Sequence, residues 1–202
     1  ALAAAAEPLA RDYPGLTVTA LGMDFIPALE AATPYLPAGR RLIYYPGSSI
    51  GNFSPDEAAF LLTRFRGLAG KDGQLLIGFD LKKDPQLLHQ AYNDDAGITA
   101  AFNLNLLERL NRELAADFDP ARFRHYAFYN PTAGRIEMHL VSLAGQTVSV
   151  AGRRFPFDLG EALHTENSYK FRCDEFSAIA GGAGWRLTGE WEQGGFAVQL
   201  YA

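Results

Sequence analysis

The chain has 202 residues, 48% hydrophobic and 20% charged, with a formal net charge of -5, which is enough for one sizeable core or one domain carrying a large insertion and too apolar for disorder. Its acidic balance, without any run of Lys and Arg, argues against a nucleic-acid or acidic-membrane surface and favours a small neutral or cationic ligand. One cysteine, Cys173, leaves no internal disulfide framework or cysteine-rich zinc site; with no apolar run of spanning length and no basic region in the alanine-rich start, a cytoplasmic protein without membrane helix or signal peptide is expected.

Residues 1–13 (ALAAAAEPLARDY) have helix-forming composition, broken only by Pro8, and Tyr13-Pro14-Gly15 is a turn signal. Leu16 to Leu21 is β-branched and apolar, which predicts a strand, with Asp24 and Phe25 just beyond its end. An acid beside an aromatic at a strand end suits a nucleobase or ribose; it suits equally a helix cap with the phenyl ring in the core. A loop marked by Pro27, Pro34 and Pro37 leads to a second strand, Arg41 to Tyr45, and then to PGSSIGN. In open α/β sheets ligands sit where strands end and turn into helices. Gly47 and Gly51 allow close approach to the backbone there, and Ser48, Ser49 and Asn52 offer short polar contacts. An ordinary strand-to-helix loop has the same composition.

Ser54-Pro55-Asp56-Glu57 is a helix start with a capping box, and Phe60, Leu61, Phe65 and Leu68 form its expected core stripe. Gly70 and Gly73 close the helix, and Gln74 to Leu81 is a third strand whose nearly continuous apolar run suits burial on both faces. Strand, helix and strand in succession predict a parallel sheet.

Beyond Leu81 the pattern changes. Asp84-Pro85 starts a helix, Tyr92 to Gly97 breaks it, and a long amphipathic helix runs from Ile98 to about Ala116. Tyr126 to Asn130 and Arg135 to Leu143 form a hairpin about Pro131 to Gly134, followed by short strands at Thr147 to Val150, Phe155 to Phe157 and Leu163 to Phe171. Antiparallel pieces inserted into a parallel-sheet protein usually build a lid or substrate-binding lobe, though surface decoration has the same pattern. Asp174 to Gly182 reads as a helix, and Trp185 to Trp191 with Phe196 to Tyr201 as a closing hairpin on a mixed sheet.

The four histidines (His89, His125, His139, His164) do not fall at metal-ligand spacing, and neither GxSxG nor GxxxxGK[ST] occurs, so metal, serine-hydrolase and P-loop chemistry are not expected. Cys173 follows Arg172 near a helix start, where a thiolate can be stabilised; a small packed residue is the commoner fate. In Thr165 to Tyr169 the strand period of two puts Glu166 and Ser168 on one face, where a carboxylate and a hydroxyl can orient an N–H-bearing ring, although a solvated strand face has the same pattern. Met138 is either an apolar contact for a flat ligand or core.

Four stretches, PGSSIGNFSPDEA, AYNDDAGITAAFNLNLLERLNRELAADFDPARF, RIEMHL and HTENSYKF, closely resemble the histidine-specific N-methyltransferases of ergothioneine biosynthesis, over nearly the whole chain. The resemblance implies an α/β, Rossmann-like S-adenosylmethionine-dependent methyltransferase fold. Core would span 1–82 and 173–202, and an inserted α+β substrate lobe 83–172. It implies conversion of L-histidine to its Nα-trimethylated form, hercynine, with S-adenosyl-L-methionine as cofactor; a monomer is expected, although no feature of the sequence fixes the oligomeric state. By motif, Asn52 and Tyr92 resemble the residues holding the substrate's amino and carboxylate groups. Glu166 and Ser168 resemble those bonded to the imidazole, and Met138 one lining that end of the pocket. Asp24 and Phe25 resemble the adenine contacts, and Gly47 the turn beside the methionine moiety. The family's glycine-rich first cofactor loop, the acidic residue after its next strand and its N-terminal tyrosines have no counterpart in the sequence, so a longer protein is expected. Alternatives that keep the fold are another amino acid as substrate, or a non-catalytic binding module.

Overall fold

The computed structural model describes residues 2–36 and 38–202, with Phe25 described by its backbone alone. Pro37 of the expected proline loop therefore lies outside the described residues. Helix α1 (Leu2–Asp12) and the short α2 (Phe25–Ala31) precede strand β1 (Leu42–Tyr45), helix α3 (Pro55–Ala69) and strand β2 (Gln74–Asp80). β1 pairs with β2 in parallel, Leu42 opposite Gln74 and Tyr45 opposite Ile77.

Helix α3 starts as its sequence dictates. The Ser54 hydroxyl accepts from the Glu57 N–H, and the Glu57 carboxylate accepts from the Ser54 N–H. Its buried face is Ala58, Leu61, Leu62, Phe65 and Ala69. Phe60 is not part of that face as expected; it lies 57% exposed with the Arg64 guanidinium over its ring. The reason is angular, since one residue step turns a helix by about 100° and carries Phe60 off the buried stripe.

After α3 and β2 the chain leaves this sheet and returns near its end through a helix to an antiparallel hairpin, giving a four-stranded sheet with β2 and the last strand at its centre. The face carrying Leu75, Ile77, Phe79, Ala197 and Tyr201 packs into one core with Leu61, Leu62, Phe65 and Phe176. The opposite face of β2 is only half buried at Leu76, and Leu42 and Tyr44 beside it are 55% and 66% exposed. The apolar run in β2 thus does not mean burial on both faces.

The expected strand at Leu16 to Leu21 does not form: residues 16–21 are in no strand, and Leu16 is 53% exposed. β-propensity describes a side chain's fit to a pleated surface, and the surface exists only where a neighbouring strand supplies backbone partners. Among the described residues no helix is long and apolar enough to cross a membrane.

The middle of the chain forms helices α4 (Pro85–Tyr92) and α5 (Ile98–Leu114) and strands β3 (Phe123–Asn130), β4 (Arg135–Ser142), β5 (Gln146–Val150), β6 (Arg153–Phe157) and β7 (Ala162–Tyr169). β4 lies between β3 and β7 in an antiparallel sheet, while β5 and β6 pair as a separate hairpin. Leu88 and Tyr92 of α4 pack on Ala127, Ile136 and Met138, and Leu107 of α5 packs on Phe123, Leu140 and Val148. α6 (Cys173–Gly182), β8 (Leu187–Gln193) and β9 (Phe196–Tyr201) complete the fold. Trp185, expected in β8, precedes it: the ring is buried, its N–H donates to the Leu62 carbonyl at 2.9 Å, and Arg66 covers it. The two larger sheets meet where Phe171 N–H donates to the Asp80 carbonyl and Lys82 N–H to that of Phe171.

Candidate functional site

The loop after β1 is pinned to β2 by backbone and side chain together. Ser48 adopts a left-handed backbone (φ 58°), its N–H donates to the Gly78 carbonyl, and its hydroxyl accepts from the Asp80 N–H at 2.9 Å. Gly78 leaves the room for this, since a Cβ there would stand 2.3 Å from the Pro46 carbonyl oxygen. A short 3-10 helix, Ser49–Asn52, follows and runs against β7. The loop therefore uses Ser48 for structure, while Asn52 emerges exposed.

On β7 the alternation expected from sequence is realised. Ser168 stands opposite Ile136 and Glu166 opposite Met138, so both face the same side, and a register shift follows between Met138 and His139. Tyr92, at the end of α4, is brought to them by its neighbours. The Asn93 side chain bonds both the N–H and the carbonyl of Ala127, and His125 Nε2 lies 2.7 Å from the Tyr92 carbonyl oxygen.

Gly47, Asn52, Tyr92, Glu166 and Ser168 consequently line one open cleft of about 270 Å³ between the two sheets. Met138 is buried in the core with Leu88 and Ile136, in register with Glu166 on the neighbouring strand. Asp24 heads α2, exposed and without a side-chain capping bond, and does not line the cleft. The Phe25 side chain lies outside the described residues.

Two charged residues of the cleft were not singled out by the sequence, Lys170 and Asp80. The Lys170 side chain is 1% exposed, with Nζ 3.1 Å from Asp80 Oδ2 and 2.9 Å from each of the Tyr92 and Ser168 hydroxyls. Lys83 reaches the other Asp80 oxygen at 2.7 Å. The signal was present, because Lys170 continues the two-residue alternation of Glu166 and Ser168. Burial pushes the Glu166 carboxyl above its ordinary range, and the charge of Lys170 pulls it partly back. The cleft thus combines two carboxylates, one of them paired with a buried cation, with hydroxyls and a carboxamide, a set that can hold a small zwitterion with a polar ring.

Histidines that are remote in sequence do meet in space. Glu137, His139 and His164 bring potential ligand atoms within 4.8 Å of one another. Their geometry is that of a stack: the two imidazole rings lie 4.6 Å apart at 21°, continuing a ladder through Phe128 and Tyr126. Imidazole lone pairs lie in the ring plane, so rings stacked in this way do not converge on one ion, and Arg135 already occupies Glu137 at 2.9 Å. Cys173 follows the commoner of its two expected fates: burial, reinforced by its bond to Glu192 and by the charge of Glu190, pushes its thiol up to about 12, the reverse of thiolate stabilisation.

The chain is 40% identical to a histidine N-alpha-methyltransferase of Mycobacterium tuberculosis over 205 residues, covering all of this chain and 63% of that protein. It is 30% identical over 169 residues to ergothioneine biosynthesis protein 1 of Neurospora crassa, covering 77% of this chain and 18% of that protein. Among solved structures it is similar to an S-adenosylmethionine-dependent methyltransferase from Clostridium acetobutylicum, at TM-score 0.45 and 11% identity, over 98% of this chain and 69% of the other. The chain thus spans less than two thirds of the length of the mycobacterial relative. The family model for histidine-specific, S-adenosylmethionine-dependent methyltransferases matches residues 1–202, and the chain belongs to that family.

Proposed function

We propose that this chain carries the substrate face, and one side of the cofactor site, of an S-adenosylmethionine-dependent enzyme that methylates the α-amino group of L-histidine to hercynine. The observation that supports it most is the convergence of Asn52, Tyr92, Glu166 and Ser168, from three separate elements, on one cleft at the end of β1. In this reading residues 83–172 form the substrate lobe, and Asp24 and Phe25 belong to the adenine side.

The residues present fit one flank of such a cofactor. Gly47 borders the cleft, and a Cβ there would meet only the Ser49 hydroxyl, at 3.7 Å, so the backbone is open to close approach. S-adenosylmethionine supplies a sulfonium methyl group. The acceptor is the free amine, whose ordinary pKa of about 8 leaves an adequate neutral fraction at cellular pH, so no strong base is needed. The protein's task is placement. Asn52 and Tyr92 hold the amino and carboxylate groups, while Glu166 and Ser168 hold the ring through successive transfers. A ring without matching N–H and N positions leaves those buried groups unpaired, which discriminates against apolar amino acids.

Thermal-shift titration with L-histidine and with S-adenosylhomocysteine, followed by an amino-acid panel with labelled cofactor, tests the proposal. Stabilisation by histidine and label transfer to it alone are expected. Label transfer to an aromatic amino acid in its place would move the assignment, and no shift with either ligand would favour a non-catalytic binding module.

A further inference from the structure

We propose that Lys170 is a positioning residue that sets the hydrogen-bond polarity of the cleft, obliging Ser168 to donate toward the ring of a bound histidine while Glu166 accepts from it. The inference rests on the histidine reading above and goes beyond it by assigning a role to a residue outside the ligand contacts.

The argument is a proton count. An ammonium has three donors and no acceptor. Those of Lys170 are directed at Asp80 Oδ2, the Tyr92 hydroxyl and the Ser168 hydroxyl, at 3.1, 2.9 and 2.9 Å. The two hydroxyls are also 2.8 Å from each other, with Tyr92 donating to Ser168. Both oxygens therefore accept from Lys170, and the bond between them uses one of their two O–H protons. The proton left over is that of Ser168, whose oxygen already accepts from Lys170 and Tyr92 and which lines the cleft.

A hydroxyl in that state is a donor to whatever enters. Glu166, two residues earlier on the same strand face, is an acceptor when ionised. Donor and acceptor together match a neutral imidazole, which offers one bare nitrogen and one N–H. Without Lys170 the constraint lapses: Ser168 still accepts from Tyr92, but its second lone pair is freed and can accept from the ligand, so that a ring bearing only an N–H becomes acceptable.

The test compares calorimetric affinities of the chain for L-histidine and for its pyrrole analogue, in which C–H replaces the acceptor nitrogen and one N–H remains. In the unaltered chain histidine is expected to bind about tenfold or more tighter, the effect of one unmet hydrogen bond in a desolvated site. In Lys170→Met the ratio is expected to fall to within about threefold of unity. Removal of Lys170 leaves Asp80 short of a partner and threatens folding, so the second variant, Lys170→Met with Asp80→Asn, removes both charges and carries the same expectation. A purely structural Lys170 would weaken both ligands alike, and an unchanged ratio in either folded variant overturns the proposal. Failure of the unaltered chain to bind histidine would instead remove the substrate reading itself.

Discussion

Gly51 lies so close to Tyr169 that a Cβ built on it would stand 2.7 Å from the Tyr169 carbonyl oxygen. This contact seats the loop after β1 directly on β7. It brings Gly47 and Asn52, which follow β1 of the core sheet, beside Glu166 and Ser168, which belong to the other sheet. Substitution Gly51→Ala must push loop and strand apart, because a backbone oxygen cannot rotate away as a flexible side chain would. The expected result is a loss of about 1–3 kcal/mol in urea unfolding, together with weaker histidine binding. A variant with the parental midpoint and affinity would show that the contact does not hold the cleft together.

Glu166 combines a binding role with a cost to the free protein. Its folded pKa is raised above 4.5, chiefly by burial, with Lys170 opposing. A raised carboxyl contributes stability below its unfolded value and loses it as pH rises through its folded value. Glu166→Gln is therefore expected to raise the melting temperature of the ligand-free chain at pH 7, with the gain shrinking toward pH 4. Identical melting of both forms at both pH values would refute the assigned environment.

Glu166→Ala separates ligand from cofactor. Removing the acceptor for a ring N–H should weaken histidine binding about tenfold or more, the effect expected for a charged partner, and leave S-adenosylhomocysteine affinity within about twofold, inside the scatter of surface effects. Equal losses of both in calorimetry would sink the role of Glu166 in substrate recognition.

What the sequence made legible follows from the range of the interactions involved. The capping box at Ser54 and Glu57 and the shared face of Glu166 and Ser168 are local patterns, and both appear as expected. The strand at 16–21 was misjudged because pairing is not a local property. The stack of His139 on His164 depends on a register shift in β4 and β7 that no spacing rule contains. Lys170 was overlooked for a different reason: lysine is rarely fully buried, and its burial here requires Asp80 from another sheet. Met138 could be core or ligand contact from sequence, and its place in the core beside Glu166, on the neighbouring strand, shows how near those alternatives lie.

Cys173 should be a poor nucleophile. With its thiol pushed up to about 12, the thiolate fraction at pH 8 is far below that of an ordinary cysteine. Alkylation by iodoacetamide at pH 8 is expected to be at least tenfold slower in the folded chain than in urea, where the group returns to its ordinary value of about 8.5. Labelling of the folded chain at the unfolded rate would contradict the environment formed by Glu190 and Glu192.

His139 supplies a pH dependence in a window above that of the depressed carboxylates. Burial holds its pKa below 6.5, the charge of His164 adds to this, and Glu137 opposes it. Nδ1 is buried with no hydrogen-bond partner among the described residues, and Nε2 lies 3.9 Å from Glu137 Oε2. Glu137 itself would be raised by burial, but bonds from Arg135 and Asn130 outweigh this and keep it below 4.5. For a histidine whose folded pKa is depressed, the unfolded chain takes up the proton first, so stability is full above 6.5 and declines as pH falls through that value toward the folded one. The urea midpoint should therefore drop between pH 7.5 and pH 5.5, before the carboxylates of Glu137 and Asp94 begin to protonate. His139→Gln should flatten that part of the profile while leaving the acid limb below pH 4.5 in place. If the slope between pH 7.5 and 5.5 persists in the variant, it belongs to another group, and the stacked pair does not titrate as its burial requires.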